Sequence, residues 1–180
     1  MSEISFAIRA LVGLVFLSAA WGKSRHRLEF QGVIANYRLL PDRLVVPFAV
    51  VLPPVEAAVG ALLPTGLLSP WTEGAAAALL ALFAAAMAVN IRRGRTDIDC
   101  GCFQSALKQT LGWTLVARNA GLVLLLGIAA LPAAPPPAWA LAEGLLGGGV
   151  AFVLLQSLNI LWSVRPAWRP AHARHGGAGK

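Results

Sequence analysis

Charged residues are scarce in this sequence. Only 13% of its 180 residues are Asp, Glu, Lys or Arg, while 57% are hydrophobic. Ordinary soluble domains are about one-quarter charged, and one soluble core of this length cannot hide so much apolar surface. The composition therefore excludes an ordinary soluble domain and predicts a multi-spanning protein whose main partner is the lipid bilayer.

Acidic residues are scarcer than basic ones, with 8 Asp and Glu against 15 Lys and Arg and a net charge of +7. In a soluble chain, such an excess would suggest nucleic-acid binding. Here the basic residues stand between apolar blocks, where membrane topology accounts for them. We therefore expect no nucleic-acid partner.

Cysteine is nearly absent, because Cys100 and Cys102 are the only two. Two cysteines exclude a disulfide-rich scaffold, and their close spacing marks them as a site. The chain has no second pair with which to pass electrons across a membrane. A redox role would therefore need a quinone or a protein partner.

Five apolar blocks are long enough to cross a bilayer, since a spanning helix needs about 20 mostly apolar residues. They predict an all-α integral membrane protein, a compact bundle of four to five transmembrane helices over residues 1–164, followed by a disordered basic tail over 165–180. The first block is expected to be retained rather than cleaved as a signal peptide, because Glu3 is the only charge before Arg9. The blocks are residues 4–21, 44–63, 73–91, 112–131 and 138–164.

The segment between the first two blocks, residues 23–43, is too polar to span. Its apolar residues recur at helical spacing among several arginines, which predicts an interfacial amphipathic helix stopped by Pro41. Basic residues lie in this segment, in the segment after the third block and in the tail, whereas the other two loops contain no Lys or Arg. The positive-inside rule places these three segments in the cytoplasm and the N-terminus outside.

The strongest chemical signal is Cys100-Gly101-Cys102, which precedes Phe103. Two thiols separated by one glycine can close a small, strained disulfide, and strained disulfides belong to the labile or catalytic class. Two other interpretations stay open: a site for soft metals such as Cu(I) or Hg(II), and a pair of unreacted or structural thiols. No zinc site is expected, because two thiolates alone do not complete one.

Polar residues within the apolar blocks form the second signal. Glu56 lies deep in the second block, so we expect it to face the bundle interior and to find a partner there. Arg118, next to Asn119 in the fourth block, has the reach to meet Glu56 or to extend back to the membrane surface. Lys23 closes the first block. We predict supporting roles for Glu56, Arg118, Asn119 and Lys23.

Together these residues resemble the methylamine utilization protein MauE family, which is related to the DoxX-like membrane proteins. The resemblance covers roughly the first 130 residues. The motifs that carry it are Arg9, Gly22-Lys23, Tyr37 with Pro41, Pro53-Pro54-Val55-Glu56, Cys100-Gly101-Cys102-Phe103 and Arg118-Asn119.

The resemblance implies a multi-pass protein of the bacterial inner membrane that helps the methylamine dehydrogenase small subunit to acquire its disulfides or to reach the periplasm. It assigns the redox pair to Cys100 and Cys102, exchanging disulfides with an exported or thioredoxin-like partner. The alternatives are a non-catalytic docking factor and a soft-metal binder. The charge count places the two cysteines in the cytoplasm, where thiols are kept reduced, so topology and the redox role point to opposite faces.

Overall fold

A computed structural model describes residues 2–96, 98, 111–131 and 138–164 of the chain. This described part contains six α-helices, one short 3-10 turn and no β-strand. Cys100, Cys102 and the tail predicted over residues 165–180 lie outside it. The helices are α1 (Ser2–Arg25), α2 (Arg27–Tyr37), α3 (Asp42–Leu62), α4 (Trp71–Arg92), α5 (Trp113–Ala129) and α6 (Ala138–Val164).

Four of these helices, α1, α3, α4 and α6, are long and apolar enough to cross a membrane. The apolar helix α5 is shorter, with 17 residues, which makes it about 25 Å long. Helices suit this setting because lipid offers backbone groups no hydrogen-bond partners and a helix satisfies them internally. The prediction of an all-α membrane bundle is confirmed.

The contacts at the helix ends show how α5 runs relative to α4. Arg9, near the start of α1, lies beside Ser69, which precedes α4, and beside the last residue of α5, Ala129. At the other end of the bundle, Leu115 near the start of α5 packs against Met87 near the end of α4. Helix α5 therefore runs antiparallel to α4 and extends from one end to the other. We call the two ends the Arg9 end and the Lys23 end.

Helix α1 is the centre of the bundle, because it packs against α3, α5 and α6. Val12 and Phe16 of α1 are buried in the main core beside Leu126 of α5. Helix α6 instead exposes many of its large apolar residues, which suits a face that meets lipid. These exposed residues of α6 are Leu145, Leu146, Val150, Val153, Leu154, Leu158, Ile160 and Leu161.

Glycines allow α1 to approach its neighbours closely. A Cβ atom built on Gly13 of α1 would lie 2.8 Å from the carbonyl oxygen of Gly60 in α3. On α6, a Cβ atom on Gly148 would lie 2.6 Å from the Cβ atom of Ala10. Small residues at helix contacts are the usual device for close packing in lipid. The neighbouring Gly149 has open space around its Cβ position, so only part of this glycine run forms the contact.

The interfacial helix α2 is shorter than the sequence predicts. It ends at Tyr37 rather than at Pro41, because Arg38 adopts a left-handed conformation with φ of 48° and its N–H donates to the carbonyl of Ala35. Pro41 instead precedes the first residue of α3. Phe30 and Ile34 of α2 are buried, so one face of this helix packs onto the bundle while the rest stays exposed.

The basic segments gather at the Lys23 end, as the charge pattern predicts for the described loops. Arg25 ends α1, Arg27 begins α2, and Arg43 is the second residue of α3. Arg92 and Arg93 follow at the end of α4, and antiparallel packing brings them to the same end as the start of α3. Assignment of this end to the cytoplasm remains a prediction.

The close contact at Gly148 generates a test of the packing. Gly148→Leu should lower the free energy of unfolding by about 1–3 kcal/mol, because the new side chain must displace the backbone and Ala10 of α1. Gly149→Leu is the matched control and should leave stability nearly unchanged. Thermal unfolding of the purified protein in detergent measures both. Equal midpoints for the two variants would contradict this helix contact.

Candidate functional site

Lys23 and Glu56 form an ion pair inside the bundle. Lys23 Nζ donates a hydrogen bond to Glu56 Oε1. Both residues are buried, with 4% of Lys23 and none of Glu56 exposed. An isolated charge at such depth in a membrane protein costs several kcal/mol, and pairing with an opposite charge offsets much of that cost. The charge of each residue therefore lowers the cost of burying the other.

The relative heights of α1 and α3 show why Lys23 reaches inward. Gly13 and Gly60 lie level where the two antiparallel helices touch. At 1.5 Å of rise per residue, the backbone of Lys23 is then about 9 Å closer to the Lys23 end than that of Glu56. A lysine near a helix end usually extends outward to the membrane surface, whereas Lys23 extends toward the bundle centre.

Two aromatic rings flank the ammonium group of Lys23. Its Nζ atom lies 5.2 Å from the ring centroid of Phe30 in α2 and 4.8 Å from that of Phe83 in α4. A cation within about 6 Å of an aromatic ring is attracted by the ring's negative face. Lys23 therefore connects α1 to α2, α3 and α4, which makes it a junction of four helices.

A cavity of about 180 Å³ adjoins Lys23 between α2, α3 and α4. Apolar and aromatic side chains form most of its wall, and Lys23 is the only charged residue among the described residues that line it. Leu82, which is exposed on α4, stands at its rim, so the cavity opens toward the outside of the bundle. The lining comprises Lys23, Phe30, Val33, Ile34, Tyr37, Leu39, Leu40, Phe48, Leu52, Leu82, Phe83, Ala86 and Met87.

Arg118 and Asn119 belong to a second polar group, between α5 and α6. Arg118 donates to Asn159 Oδ1 of α6 and to Asn119 Oδ1, each at 3.4 Å. Asn159 donates in turn to Gln156 Oε1 at 3.4 Å. These hydrogen bonds join the two helices in the same half of the bundle as Lys23. The pairing of Glu56 with Arg118 stays a prediction, and Lys23 is a partner of Glu56 that the pattern did not indicate.

The segment that carries Cys100 and Cys102 lies outside the described residues, but its two flanks are held together. The N–H of Leu111 donates to the carbonyls of Thr96 and Ile98, both at 3.1 Å. Leu111 is buried and packs with Met87. The described residues on either side of the segment therefore meet at the Lys23 end.

A further ion pair at the Arg9 end, between the partly buried Arg9 and the buried Glu73, was not predicted from the sequence. Arg9 Nε lies 2.7 Å from Glu73 Oε1, and Thr72 donates to Glu73 Oε2 at 3.0 Å. Gly66, with a φ of 64°, leaves room here, since a Cβ atom on it would lie 2.9 Å from Arg9 Nη1. One signal for this pair was available in the sequence. Arg9 is the only charge inside the first apolar block, and Glu73 is the only charge in the third block, at its start.

Comparison with known proteins decides the family. The family model described as methylamine utilisation protein MauE matches residues 1–134. The chain belongs to the MauE family. Two relatives named methylamine utilization protein MauE come from Paracoccus denitrificans and Paracoccus versutus. Each is 47% identical to this chain; the first match covers 91% of this chain and 90% of the relative, and the second covers 94% and 92%.

A third MauE relative, from Methylorubrum extorquens, is 43% identical over 94% of this chain and 92% of its own length. No solved structure matches the chain. The resemblance drawn from the motifs is therefore confirmed, and similarity extends past the fourth apolar block into α6. Apolar helices and MauE relatives together make this a membrane protein.

The buried pair generates a test of its structural role in this MauE bundle. Lys23→Met should lower the free energy of unfolding by about 3–5 kcal/mol, because it leaves the Glu56 carboxylate buried without its cation. The double variant Lys23→Met/Glu56→Gln should recover most of that loss. Arg25→Met is the matched control, since Arg25 is exposed two residues along the same helix.

Thermal unfolding in detergent reports all three variants. A Lys23→Met protein as stable as the wild type, or a double variant no better than the single one, would contradict an ion pair that supports the fold.

Proposed function

We propose that this protein is an accessory protein of methylamine utilisation in the bacterial inner membrane, where it supports disulfide formation in the small subunit of methylamine dehydrogenase. Membership of the MauE family supports the accessory role. The finer role, by thiol–disulfide exchange through Cys100 and Cys102, rests on the chemistry of the pair and on the resemblance of its motif.

The observation that carries the exchange proposal is the attachment of the cysteine segment. The N–H of Leu111, which follows the segment, donates to the carbonyls of Thr96 and Ile98, which precede it, at the end of the bundle where Lys23 is buried. Because both flanks of the Cys-Gly-Cys segment are held at one end of the bundle, the length of the chain between them limits how far the pair can lie from that end. The bundle thus serves as a support for the reactive segment.

The proposed exchange needs no reactant other than the client thiols and the Cys100–Cys102 disulfide. A thiolate of the client attacks the Cys100–Cys102 disulfide and forms a mixed disulfide with one of the two cysteines, releasing the other as a thiolate. A second client thiolate then attacks the mixed disulfide. The client gains a disulfide, while Cys100 and Cys102 are left as a dithiol that carries the two electrons removed from the client.

Two other functions predict different outcomes for the same residues. A docking factor would use the bundle only to hold its client, so cysteine substitutions would leave maturation intact. A soft-metal binder would retain Cu(I) or Hg(II) on the purified protein and lose it in the double serine variant. The exchange proposal predicts neither result.

Accessibility of the pair provides the first test. In sealed cells, a membrane-impermeant maleimide should label the protein only after mild reduction, because the exchange proposal requires an outward-facing disulfide that becomes two thiols. This result would reverse the orientation that the basic residues predict. The Cys100→Ser/Cys102→Ser variant is the control and should never be labelled, since the chain has no other cysteine. Free thiols that react only after the membrane is opened would contradict oxidation of an exported client.

Trapping of the mixed disulfide provides the second test. In cells grown on methylamine, one of the single variants, Cys100→Ser or Cys102→Ser, should accumulate a covalent complex with the small subunit. Its remaining thiolate attacks a client disulfide, which is the reverse of the exchange, and the protein has no second thiol to release the client. Non-reducing electrophoresis should show this complex, and a reductant should dissolve it. Normal maturation of the small subunit in both single variants would favour the docking function instead.

A further inference from the structure

The cavity beside Lys23 has the construction of a small-molecule site. Its volume is about 180 Å³, and its wall combines four aromatic residues with a single buried cation. We propose that this cavity binds a lipid-soluble quinone, with a ring carbonyl accepting a hydrogen bond from Lys23. The aromatic residues are Phe30, Tyr37, Phe48 and Phe83.

The charges around the cavity select a neutral ligand. Lys23 is paired with the carboxylate of Glu56, so the pair carries no net charge. An anionic headgroup would bring a second negative charge close to Glu56, and no second cation lines the described wall to balance it. A cationic ligand would meet Lys23 itself. A neutral molecule avoids both repulsions.

The donors of Lys23 select a ligand with a hydrogen-bond acceptor. An ammonium group has three N–H donors, and Glu56 accepts from one of them. Phe30 and Phe83 flank the same Nζ atom, which gives a flat conjugated ring aromatic surfaces to pack against. A quinone provides both the carbonyl acceptor and the flat ring.

The shape of the cavity fits a ring with an apolar substituent. An apolar cavity of about 150 Å³ is enough for a benzene molecule, so the ring of a benzoquinone fits in this space. Leu39 and Leu82 line the cavity and are exposed. Since Leu82 belongs to a membrane-spanning helix, the opening leads a hydrocarbon substituent toward lipid rather than into the bundle.

The position of the cavity suits electron transfer from the cysteine pair, and this use rests on the function proposed above. Met87 and Tyr37 line the cavity and also pack in the group of apolar residues that contains Leu111, the first described residue after the cysteine segment. Oxidation of the Cys100 and Cys102 dithiol to a disulfide releases two electrons and two protons. A quinone accepts both and becomes a hydroquinone.

Binding can be measured without the thiol chemistry. The experiment uses the purified full chain carrying Cys100→Ser and Cys102→Ser, which cannot react covalently with the ligand, and native mass spectrometry in detergent counts bound molecules. The probe is decylubiquinone, and the control ligand is decylbenzene, which has a ring and the same chain but no carbonyl. We expect one quinone per chain and at least tenfold weaker binding of decylbenzene.

A pair of variants locates the site. Ala86→Phe places a ring in the cavity and should weaken quinone binding at least tenfold. Ala85→Phe is the matched control, because Ala85 is exposed on the same helix and does not line the cavity, and it should bind as tightly as the unsubstituted chain. The ligand comparison needs no new substitution in the bundle, so it remains decisive if Ala86→Phe fails to fold.

Three results would overturn the proposal: no saturable quinone binding, equal binding of quinone and decylbenzene, or equal binding by Ala86→Phe and Ala85→Phe. These results are independent of the exchange function. A chain that binds quinone but never forms a mixed disulfide would refute the exchange and leave the site standing. A chain that traps its client but binds no quinone would refute the quinone site and leave the exchange standing.

Discussion

The burial of opposite charges in lipid is the constraint on which this bundle depends. Glu56 of α3 is fully buried and forms an ion pair with Lys23 of α1. Arg9 and Glu73 form a second ion pair at the other end of the bundle. A lone charge in hydrocarbon costs several kcal/mol, so each carboxylate fixes the position of one cation. Two such pairs at opposite ends set the relative height of α1 against both α3 and α4.

Close packing then follows from the residues between these pairs. Gly13 meets Gly60 and Gly148 meets Ala10, which lets α1 touch α3 and α6 along its length. Because lipid gives helices no hydrophobic drive to associate, such contacts and interhelical hydrogen bonds hold the bundle together. The hydrogen bonds of Arg118 to Asn159 contribute in the same way between α5 and α6.

The same constraint creates the cavity. The side chain of Lys23 extends inward to Glu56 and does not fill the space between α2 and α4 at the height of the Lys23 backbone. Only the side chains of α2 can fill that space. Phe30 covers the ammonium group from that side, but α2 ends at Tyr37 and its short apolar face does not fill the gap. A structural ion pair and a ligand site thus share one lysine. Ile98 and Leu111, which flank the segment of Cys100 and Cys102, lie at the same end of the molecule.

The sequence by itself determined the class of fold, the approximate helix bounds and the family. Each of these depends on local properties, namely the length of apolar runs, the distribution of basic residues and short motifs such as Pro53-Pro54-Val55-Glu56. It also singled out Glu56, because a charge inside an apolar block is visible without knowing its neighbours, and Lys23, because it ends the first block. The end of α2 was misplaced, since a left-handed Arg38 carries no strong sequence signal.

Only the tertiary structure decided which charges meet. Lys23 and Glu56 are 33 residues apart, and Arg9 and Glu73 are separated by 64, so their pairing depends on the relative heights of helices rather than on spacing along the chain. The cavity is likewise formed by side chains from four helices. The sequence pattern shows neither the ion pairs nor the cavity, because both arise from the packing of helices in three dimensions.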